Sequence, residues 1–153
     1  MGENETLDFL LGTWRVERTV TDHRRGEQGH FRGTATFTRR SDAENAHRSG
    51  HVRFDEVGDY RVGDYHGEAR RSLEYVAESE SRIAITFLDG HHFIDLNLAS
   101  GESRDEHQCD RDRYEISTTV KSNDLLEERW RVEGPEKNYE AVTSLVRVTD
   151  DVS

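Results

Sequence analysis

The chain contains little cysteine, proline or lysine, and it has no long apolar run. Its single cysteine, Cys109, cannot form a disulfide within the chain, which fits a reducing compartment. No apolar stretch is long enough to cross a bilayer, and no basic segment followed by an apolar one stands at the start. These absences argue against a membrane protein and lead us to expect a soluble, cytoplasmic one.

Positive charge is also scarce. The chain has 21 basic residues against 32 acidic ones, which gives a net charge of −11. A field of that sign repels phosphate backbones, so nucleic acid is not expected as a partner. Lysine occurs only at Lys121 and Lys137, so arginine carries nearly all of the positive charge. The planar guanidinium of arginine suits charge pairs inside a protein.

Polar and apolar residues alternate along the chain and do not form blocks. Hydrophobic residues make up 32% of the chain and charged residues 35%, a balance that would favour disorder if the charges were blocky. Alternation with a period of two is typical of strands with one wet face. The length suits one domain, expected to span residues 1–153, with a thin core spread over many strands.

Capping and turn signals divide the chain into one helix and eight or nine strands. Thr6 caps a short helix over residues 6–11, and Gly12 ends it. Asp89-Gly90 predicts a two-residue turn between antiparallel strands. The predicted strands cover 12–22, 31–38, 46–56, 65–77, 82–88, 91–98, 107–120, 125–133 and 139–148, with a loop at 100–104 and a bulge or kink at 110–112. The pattern predicts an all-β, antiparallel up-and-down barrel with a short N-terminal helix; a β-sandwich is the alternative.

The start of the first predicted strand carries a short motif. Leu11-Gly-Thr-Trp14 resembles the Gly-x-Trp that opens the first strand of lipocalins and other calycins, just after a short helix. The resemblance implies that Trp14 closes the narrow end of a barrel, under an arginine from a late strand. Arg147 is the candidate for that arginine.

Three further groups of residues resemble a family of small lipocalin-like (calycin) domains of unknown function. They are Phe87-x-Asp-Gly90 with Phe93, Glu106-His-x-Cys109 with Asp112 and Tyr114, and Trp130-x-Val-x-Gly-Pro-x-Lys137 with Tyr139; Gly33, Ala35, Phe37 and Arg71 match as well. The resemblance covers roughly residues 7–148 and implies a barrel with no established reaction. The chain departs from the family at Ile94, where a histidine usually stands. If that histidine is functional, either His91 or His92 substitutes for it or the activity is lost.

Two histidines and the cysteine are the candidates for a metal site. By alternation, His92 shares a face with Ile94 and Leu96 and is predicted to face inward, while His107 and Cys109 share one face of the next strand. Adjacent antiparallel strands would bring His92 near the other two residues. Their nitrogen and sulfur atoms would suit zinc, iron or copper. The spacing matches no known metal signature, so these three stay weak candidates and no metal or other cofactor is expected.

The leading functional hypothesis is binding of a small organic molecule inside the barrel. A barrel of about eight strands has room for one small ligand once its wall is packed. Arginine and the aromatic residues of the pattern predict a partly aromatic or acidic ligand, bound by a monomer or a homodimer. The predicted ligand-binding residues are Arg71, Tyr75, His92, Phe93, His107, Tyr114 and Trp130.

The alternative hypothesis is an enzyme that uses the same pocket. A cofactor-independent isomerase, cyclase or decarboxylase would use His107 or His92 as acid or base, with Arg71 holding a carboxylate. The alternative for Arg71 is an ion pair with a glutamate inside the barrel. Tyr114 would donate to an oxyanion, and a metal-dependent version adds Cys109. The chain has no Gly-x-Ser-x-Gly elbow and no glycine-rich phosphate loop, so neither serine hydrolysis nor nucleotide binding is expected.

Overall fold

The computed structural model describes residues 3–40, 50–79 and 82–149, which form one short helix and ten strands. The helix, α1, spans Glu3–Leu10. The strands are β1 (Gly12–Asp22), β2 (Glu27–Arg39), β3 (His51–Val62), β4 (Tyr65–Ser79), β5 (Arg82–Thr86), β6 (His92–Leu96), β7 (Glu102–Cys109), β8 (Asp112–Ser122), β9 (Leu125–Glu133) and β10 (Asn138–Arg147). The predicted strand 46–56 corresponds to β3, and residues 46–49 lie outside the described part of the chain.

The ten strands form one antiparallel sheet that curls into a nearly closed barrel. Their order is β6-β5-β4-β3-β2-β1-β10-β9-β8-β7, so β6 and β7 are its two edges. Side chains of β7 join these edges: the backbone N–H of Asp95 donates to Asp105 Oδ2 at 2.6 Å, and that of Asn97 donates to Ser103 Oγ at 3.0 Å. The predicted antiparallel up-and-down barrel behind a short helix is therefore confirmed.

The described residues form ten strands, whereas the sequence predicted eight or nine. The predicted strand 107–120 is divided between β7 and β8, because Asp110 and Arg111 form a two-residue hairpin turn instead of a bulge. Asp110 has a φ of 54°, a left-handed conformation that aspartate tolerates better than most residues. The predicted loop 100–104 is also shorter than expected, since β7 already begins at Glu102.

The helix and Trp14 close one end of the barrel. Trp14 is fully buried, and its indole N–H donates to the carbonyl of Leu10 at 2.8 Å. The guanidinium of Arg147 lies 4.3 Å from the centre of the Trp14 ring and donates to the carbonyls of Phe9 and Leu11. The arrangement implied by the lipocalin resemblance is therefore present, and this end of the barrel is closed.

The other end of the barrel is open. The five hairpin turns after β1, β3, β5, β7 and β9 gather there, because the strands alternate in direction around the sheet. The half near α1 is filled by packed rings: Phe37 lies 5.0 Å from Phe54 and 5.4 Å from Tyr75, centre to centre. In the described residues, no helix is long and apolar enough to cross a membrane.

Candidate functional site

Three charged side chains meet inside the barrel between its packed half and its open end. Arg18 of β1, Glu56 of β3 and Arg71 of β4 lie on the inner faces of their strands, where alternation places apolar residues above and below them. The guanidinium of Arg18 donates two hydrogen bonds to the Glu56 carboxylate, at 3.0 and 2.8 Å, and a third to Thr143 Oγ1 at 2.8 Å. Arg71 lies further from the same carboxylate, at 3.6 Å.

The charges of this cluster keep Glu56 ionised although it is only 4% exposed. Burial alone would raise the pKa of Glu56, but the hydrogen bond from Arg18 and the charges of Arg71 and Arg18 outweigh it and lower the pKa. The same pairing acts on Arg18, because burial would lower its pKa while Glu56 raises it above the ordinary value. The pair is therefore a fixed, ionised element of the barrel interior.

Arg71 is held by aromatic rings more than by hydrogen bonds. Its guanidinium carbon lies 5.4 Å from the ring centre of Phe54 and 5.2 Å from that of Trp130. Such cation–π contacts fix the orientation of a guanidinium while leaving its in-plane donors unused. The Nε atom of Arg71 is buried, and among the described residues it has no hydrogen-bond partner. Buried donors without a partner are uncommon in folded proteins.

An open cavity of about 320 Å³ lies directly above the charged cluster. We call it the mouth. Its floor is formed by Arg18, Glu56 and Arg71, and its walls by Val20, Phe31, Tyr60, Ala69, Arg70, Trp130, Tyr139 and Ala141. A second cavity of about 30 Å³ lies on the other side of the same three charged residues and is lined in part by Tyr75 and Glu128. Burial raises the pKa of Tyr75, so its phenol stays protonated there.

A cluster of aromatic rings fills the part of the open end beyond Trp130. Phe93 lies 5.4 Å from Trp130 and 5.2 Å from His107, and Tyr114 lies 6.2 Å from Trp130, between ring centres. Phe87 contacts both Phe93 and His107. Trp130 therefore separates the mouth from this aromatic cluster. Its indole N–H donates to Glu128 Oε1 at 2.6 Å.

The second and third groups of residues that carry the family resemblance meet at this open end. Lys137 in the β9–β10 turn lies 3.1 Å from a carboxylate oxygen of Asp112 and 3.4 Å from the hydroxyl of Tyr114. The hydrogen bonds to Asp112 and Tyr114 raise the pKa of Lys137, which stabilises its cation. Burial and the neighbouring Tyr114 raise the pKa of Tyr139, which also lines the mouth. This group links the rim of the barrel to the wall of the mouth.

The structure distributes the seven predicted ligand-binding residues among four places. Arg71 and Trp130 line the mouth, and Tyr75 lines the small cavity beneath it. Phe93, His107 and Tyr114 form the aromatic cluster behind Trp130. His92 is separate from all of them. Their roles in binding or catalysis stay predictions.

The inward orientation predicted for His92 is wrong. Its side chain is 52% exposed and pairs with Asp95 at 2.9 Å. The ladder changes register between the pairs Ile85–Ile94 and Thr86–His92, so Phe93 is an extra residue on β6. This bulge breaks the alternation and turns Phe93 inward in place of His92. His92 therefore does not join His107 and Cys109.

The metal hypothesis receives no support from the described residues. Cys109 is exposed at the end of β7, and His107 contacts aromatic rings. No group of three or more histidine, cysteine, aspartate or glutamate side chains in the described part of the chain is arranged to hold a metal ion.

Sequence reasoning missed the two residues that complete the charged cluster. Arg18 lies two positions from both Val16 and Val20, and Glu56 lies two positions from Phe54, so the same alternation marks both as inward-facing. A charge within an apolar face was the available signal. The pairing of these residues was not available, because it depends on the register between β1, β2 and β3.

The family described as "Family of unknown function (DUF6314)" matches residues 10–147, and the chain belongs to that family. This confirms the resemblance to a family of unknown function that the motifs indicated. No curated protein matches the chain significantly.

Several solved structures match the chain at low sequence identity. The S-type phycobiliprotein lyase of Guillardia theta matches with a TM-score of 0.77 at 13% identity, over 99% of this chain and 95% of that one. A redesigned β-barrel bound to DFHBI matches with a TM-score of 0.45 at 14% identity, over 91% and 99%. A DUF3598 protein of Nostoc punctiforme matches with a TM-score of 0.46 at 11% identity, over 93% and 49%. The likeness to the lyase shows the fold alone.

Proposed function

We propose that this member of the family binds a small, acidic and partly aromatic organic molecule in the mouth of the barrel, with the anionic group of the ligand at Arg71. The observation that carries the proposal is the state of Arg71: its guanidinium is fixed between Phe54 and Trp130, and its buried Nε has no hydrogen-bond partner among the described residues. The Arg71 side chain is 28% exposed and lines the mouth, so a ligand carboxylate there would accept charge-assisted hydrogen bonds from its guanidinium.

The charges around the mouth favour an anion. Two arginines and one carboxylate form its floor, and Arg18 already uses both oxygens of Glu56. Glu128 lines the small cavity beneath and does not line the mouth. Arg71 is therefore the cation at the floor whose charge is least compensated. The same arginine would repel a cationic ligand.

The walls of the mouth favour an aromatic portion in the same ligand. Phe31, Tyr60, Trp130 and Tyr139 contribute rings on different strands, while Ala69 and Ala141 leave space between them. Ligand cavities of this kind combine mostly apolar walls with a few polar groups that fix orientation. A volume of about 320 Å³ suits a small molecule. The likeness to the lyase shows only the fold, so the proposal depends on the residues of this mouth.

The test measures binding of 2-naphthoate and of its uncharged analogue 2-naphthamide by isothermal titration calorimetry. We expect Arg71→Met to weaken 2-naphthoate binding about 10- to 100-fold, because a hydrogen bond to a charged group contributes roughly 1.5–3 kcal/mol. The uncharged 2-naphthamide should bind the wild type more weakly than 2-naphthoate does, and its affinity should change little in Arg71→Met. The matched control is Arg32→Met, which removes the same charge from a side chain on the outer face of β2 that is 82% exposed.

Two results would overturn the proposal. The first is that 2-naphthoate, and a wider panel of aromatic and aliphatic acids, do not bind the wild-type protein. The second is that Arg71→Met and Arg32→Met change the affinity for 2-naphthoate equally. The enzymatic alternative stays a hypothesis, since neither His92 nor His107 lines the mouth. Mass spectrometry of the recovered ligand after incubation would detect any turnover.

A further inference from the structure

Three glycines on the inner faces of β2 and β3 lie against the rings of Phe31 and Tyr60, which line the mouth. Gly33 and Gly58 are paired directly across the two strands, and Gly29 lies four residues before Gly33 on the same face. None of the three has a φ in the left-handed region, so backbone conformation does not require glycine at these positions. The requirement is steric, because a Cβ atom at each position would meet another part of the barrel.

The space above these glycines is occupied by aromatic rings. A Cβ on Gly29 would lie 2.2 Å from the hydroxyl oxygen of Tyr60 and 2.6 Å from its Cζ. A Cβ on Gly33 or Gly58 would lie 2.9 or 2.7 Å from Cζ of Phe31. Phe31 and Tyr60 are themselves paired across β2 and β3. Both rings therefore lie back against the wall instead of projecting into the mouth.

The opposite wall of the mouth is also aromatic. Trp130 and Tyr139 line it from the neighbouring strands β9 and β10, where Tyr139 is paired with Val132 and Trp130 with Ala141. Small residues, Ala69 on β4 and Ala141 on β10, complete the lining. A cavity with rings on two sides is best filled by a flat aromatic system, because stacked and edge-to-face ring contacts stabilise more than area burial alone.

We infer that the mouth selects planar aromatic acids over globular aliphatic acids of similar size, and that Gly29 sets its width by letting Tyr60 lie against the wall. This inference depends on the proposed binding at Arg71 and adds the shape of the ligand and a residue that determines it. Gly29 does not line the mouth itself. It acts through the position of the Tyr60 ring.

The experiment compares two carboxylates of opposite shape, 2-naphthoate and adamantane-1-carboxylate, by isothermal titration calorimetry. The wild-type protein is expected to bind 2-naphthoate at least about tenfold more tightly, given the contribution of ring contacts on both walls. In Gly29→Ala the new methyl group displaces the end of the Tyr60 side chain into the mouth. The affinity for 2-naphthoate is therefore expected to fall about tenfold.

Gly67→Ala is the matched control. A Cβ on Gly67 would lie 2.4 Å from the hydroxyl oxygen of Tyr65, a comparable steric change, and neither residue lines the mouth. Gly67 is paired with Tyr60 across β3 and β4, but the three atoms nearest to the added Cβ all belong to Tyr65. This variant should bind 2-naphthoate like the wild type. Gly33→Ala and Gly58→Ala are unsuitable, because their Cβ atoms would meet backbone carbonyls at 2.2 Å. Circular dichroism would verify that Gly29→Ala and Gly67→Ala are folded.

A second variant keeps the inference testable if Gly29→Ala does not fold. Tyr60→Ala removes the ring from the wall and widens the mouth, so the preference for 2-naphthoate over adamantane-1-carboxylate should fall towards one. The inference is overturned if the wild type binds both acids equally, or if Gly29→Ala and Gly67→Ala behave alike. If the wild type binds both acids equally and Arg71→Met weakens the binding of both, the inference about shape is wrong but the proposed function is supported. If Arg71→Met binds both acids as tightly as the wild type does, the proposed function itself is overturned.

Discussion

The guanidinium of Arg18 holds the carboxylate of Glu56 through two parallel hydrogen bonds, 3.0 and 2.8 Å long, in the middle of the barrel. This bidentate pair divides the packed half near α1 from the open mouth, and it leaves Arg71 as the second, loosely paired cation. A buried pair of this kind adds little net stability over apolar residues of the same size. Removing one partner is costly, because the other charge is left buried without a counter-charge. Its position at the floor of the mouth makes it part of the site.

Replacement of Glu56 by glutamine should destabilise the protein by about 3–5 kcal/mol at neutral pH, because Arg18 and Arg71 would both lose their buried counter-charge. Urea denaturation followed by circular dichroism measures the change. Glu17→Gln is the control: Glu17 lies on the outer face of β1, 3.9 Å from Arg32, and its loss should cost less than about 0.5 kcal/mol. Equal effects of the two substitutions would contradict the buried pair.

The contribution of Glu56 should also depend on pH with a defined sign. Its pKa is lowered in the folded protein, so the unfolded state binds this proton more readily. The stabilisation is complete above the ordinary glutamate value of 4.5 and is lost as the pH falls through the lower, folded-state pKa. The difference in unfolding free energy between wild type and Glu56→Gln should therefore shrink below that pH. A difference that stays constant in acid would contradict the assignment.

The sequence predicted the barrel because its signals are local. Period-two alternation marked nearly every strand, and Asp89-Gly90 marked the β5–β6 hairpin, where Gly90 has a φ of 93°. The β7–β8 hairpin was missed because Asp110 and Arg111 turn the chain without a glycine, asparagine or proline. A turn of this composition cannot be told from a bulge until the two flanking segments are seen to pair.

The candidate site was only partly predictable for a related reason. Arg71 was among the predicted binding residues, yet the residues that hold it come from β3 and β9. Contacts between strands distant in sequence depend on register, which alternation alone does not give. His92 shows the converse limit, since a single extra residue on β6 reversed its predicted orientation.

The seam between β6 and β7 should open more readily in Asp105→Ala. Asp105 accepts the backbone N–H groups of Asp95 and Glu106, so its loss leaves an amide at the seam without an acceptor, at a cost of about 1–3 kcal/mol. Hydrogen exchange of the Asp95 amide should accelerate more than exchange within β1 and β10. Arg104→Ala, on the exposed neighbouring position, is the control. Unchanged exchange at Asp95 would show that the seam does not depend on Asp105.

The stability of the closed end should depend on the planar guanidinium of Arg147 more than on its charge. Its guanidinium stacks on Trp14 and donates to the carbonyls of Phe9 and Leu11, so Arg147→Ala should cost about 2–4 kcal/mol. Arg147→Lys keeps the charge but cannot reach both carbonyls in one plane, and it should recover less than half of that loss. Thermal unfolding measures both variants. Arg15→Ala, on the outer face of β1, should change stability by less than about 0.5 kcal/mol.

Truncation to alanine should destabilise the protein far more at Phe93 than at the adjacent His92. His92 is exposed and pairs with Asp95 on the surface, so His92→Ala should change the unfolding free energy by less than about 0.5 kcal/mol and leave binding of 2-naphthoate intact. Phe93 packs against Trp130 and His107, so Phe93→Ala should cost about 3–5 kcal/mol. It should also weaken 2-naphthoate binding, since Trp130 loses the ring that supports it behind the mouth. Denaturation and calorimetry on the two variants test this directly. A larger effect of His92→Ala than of Phe93→Ala would contradict the outward orientation of His92.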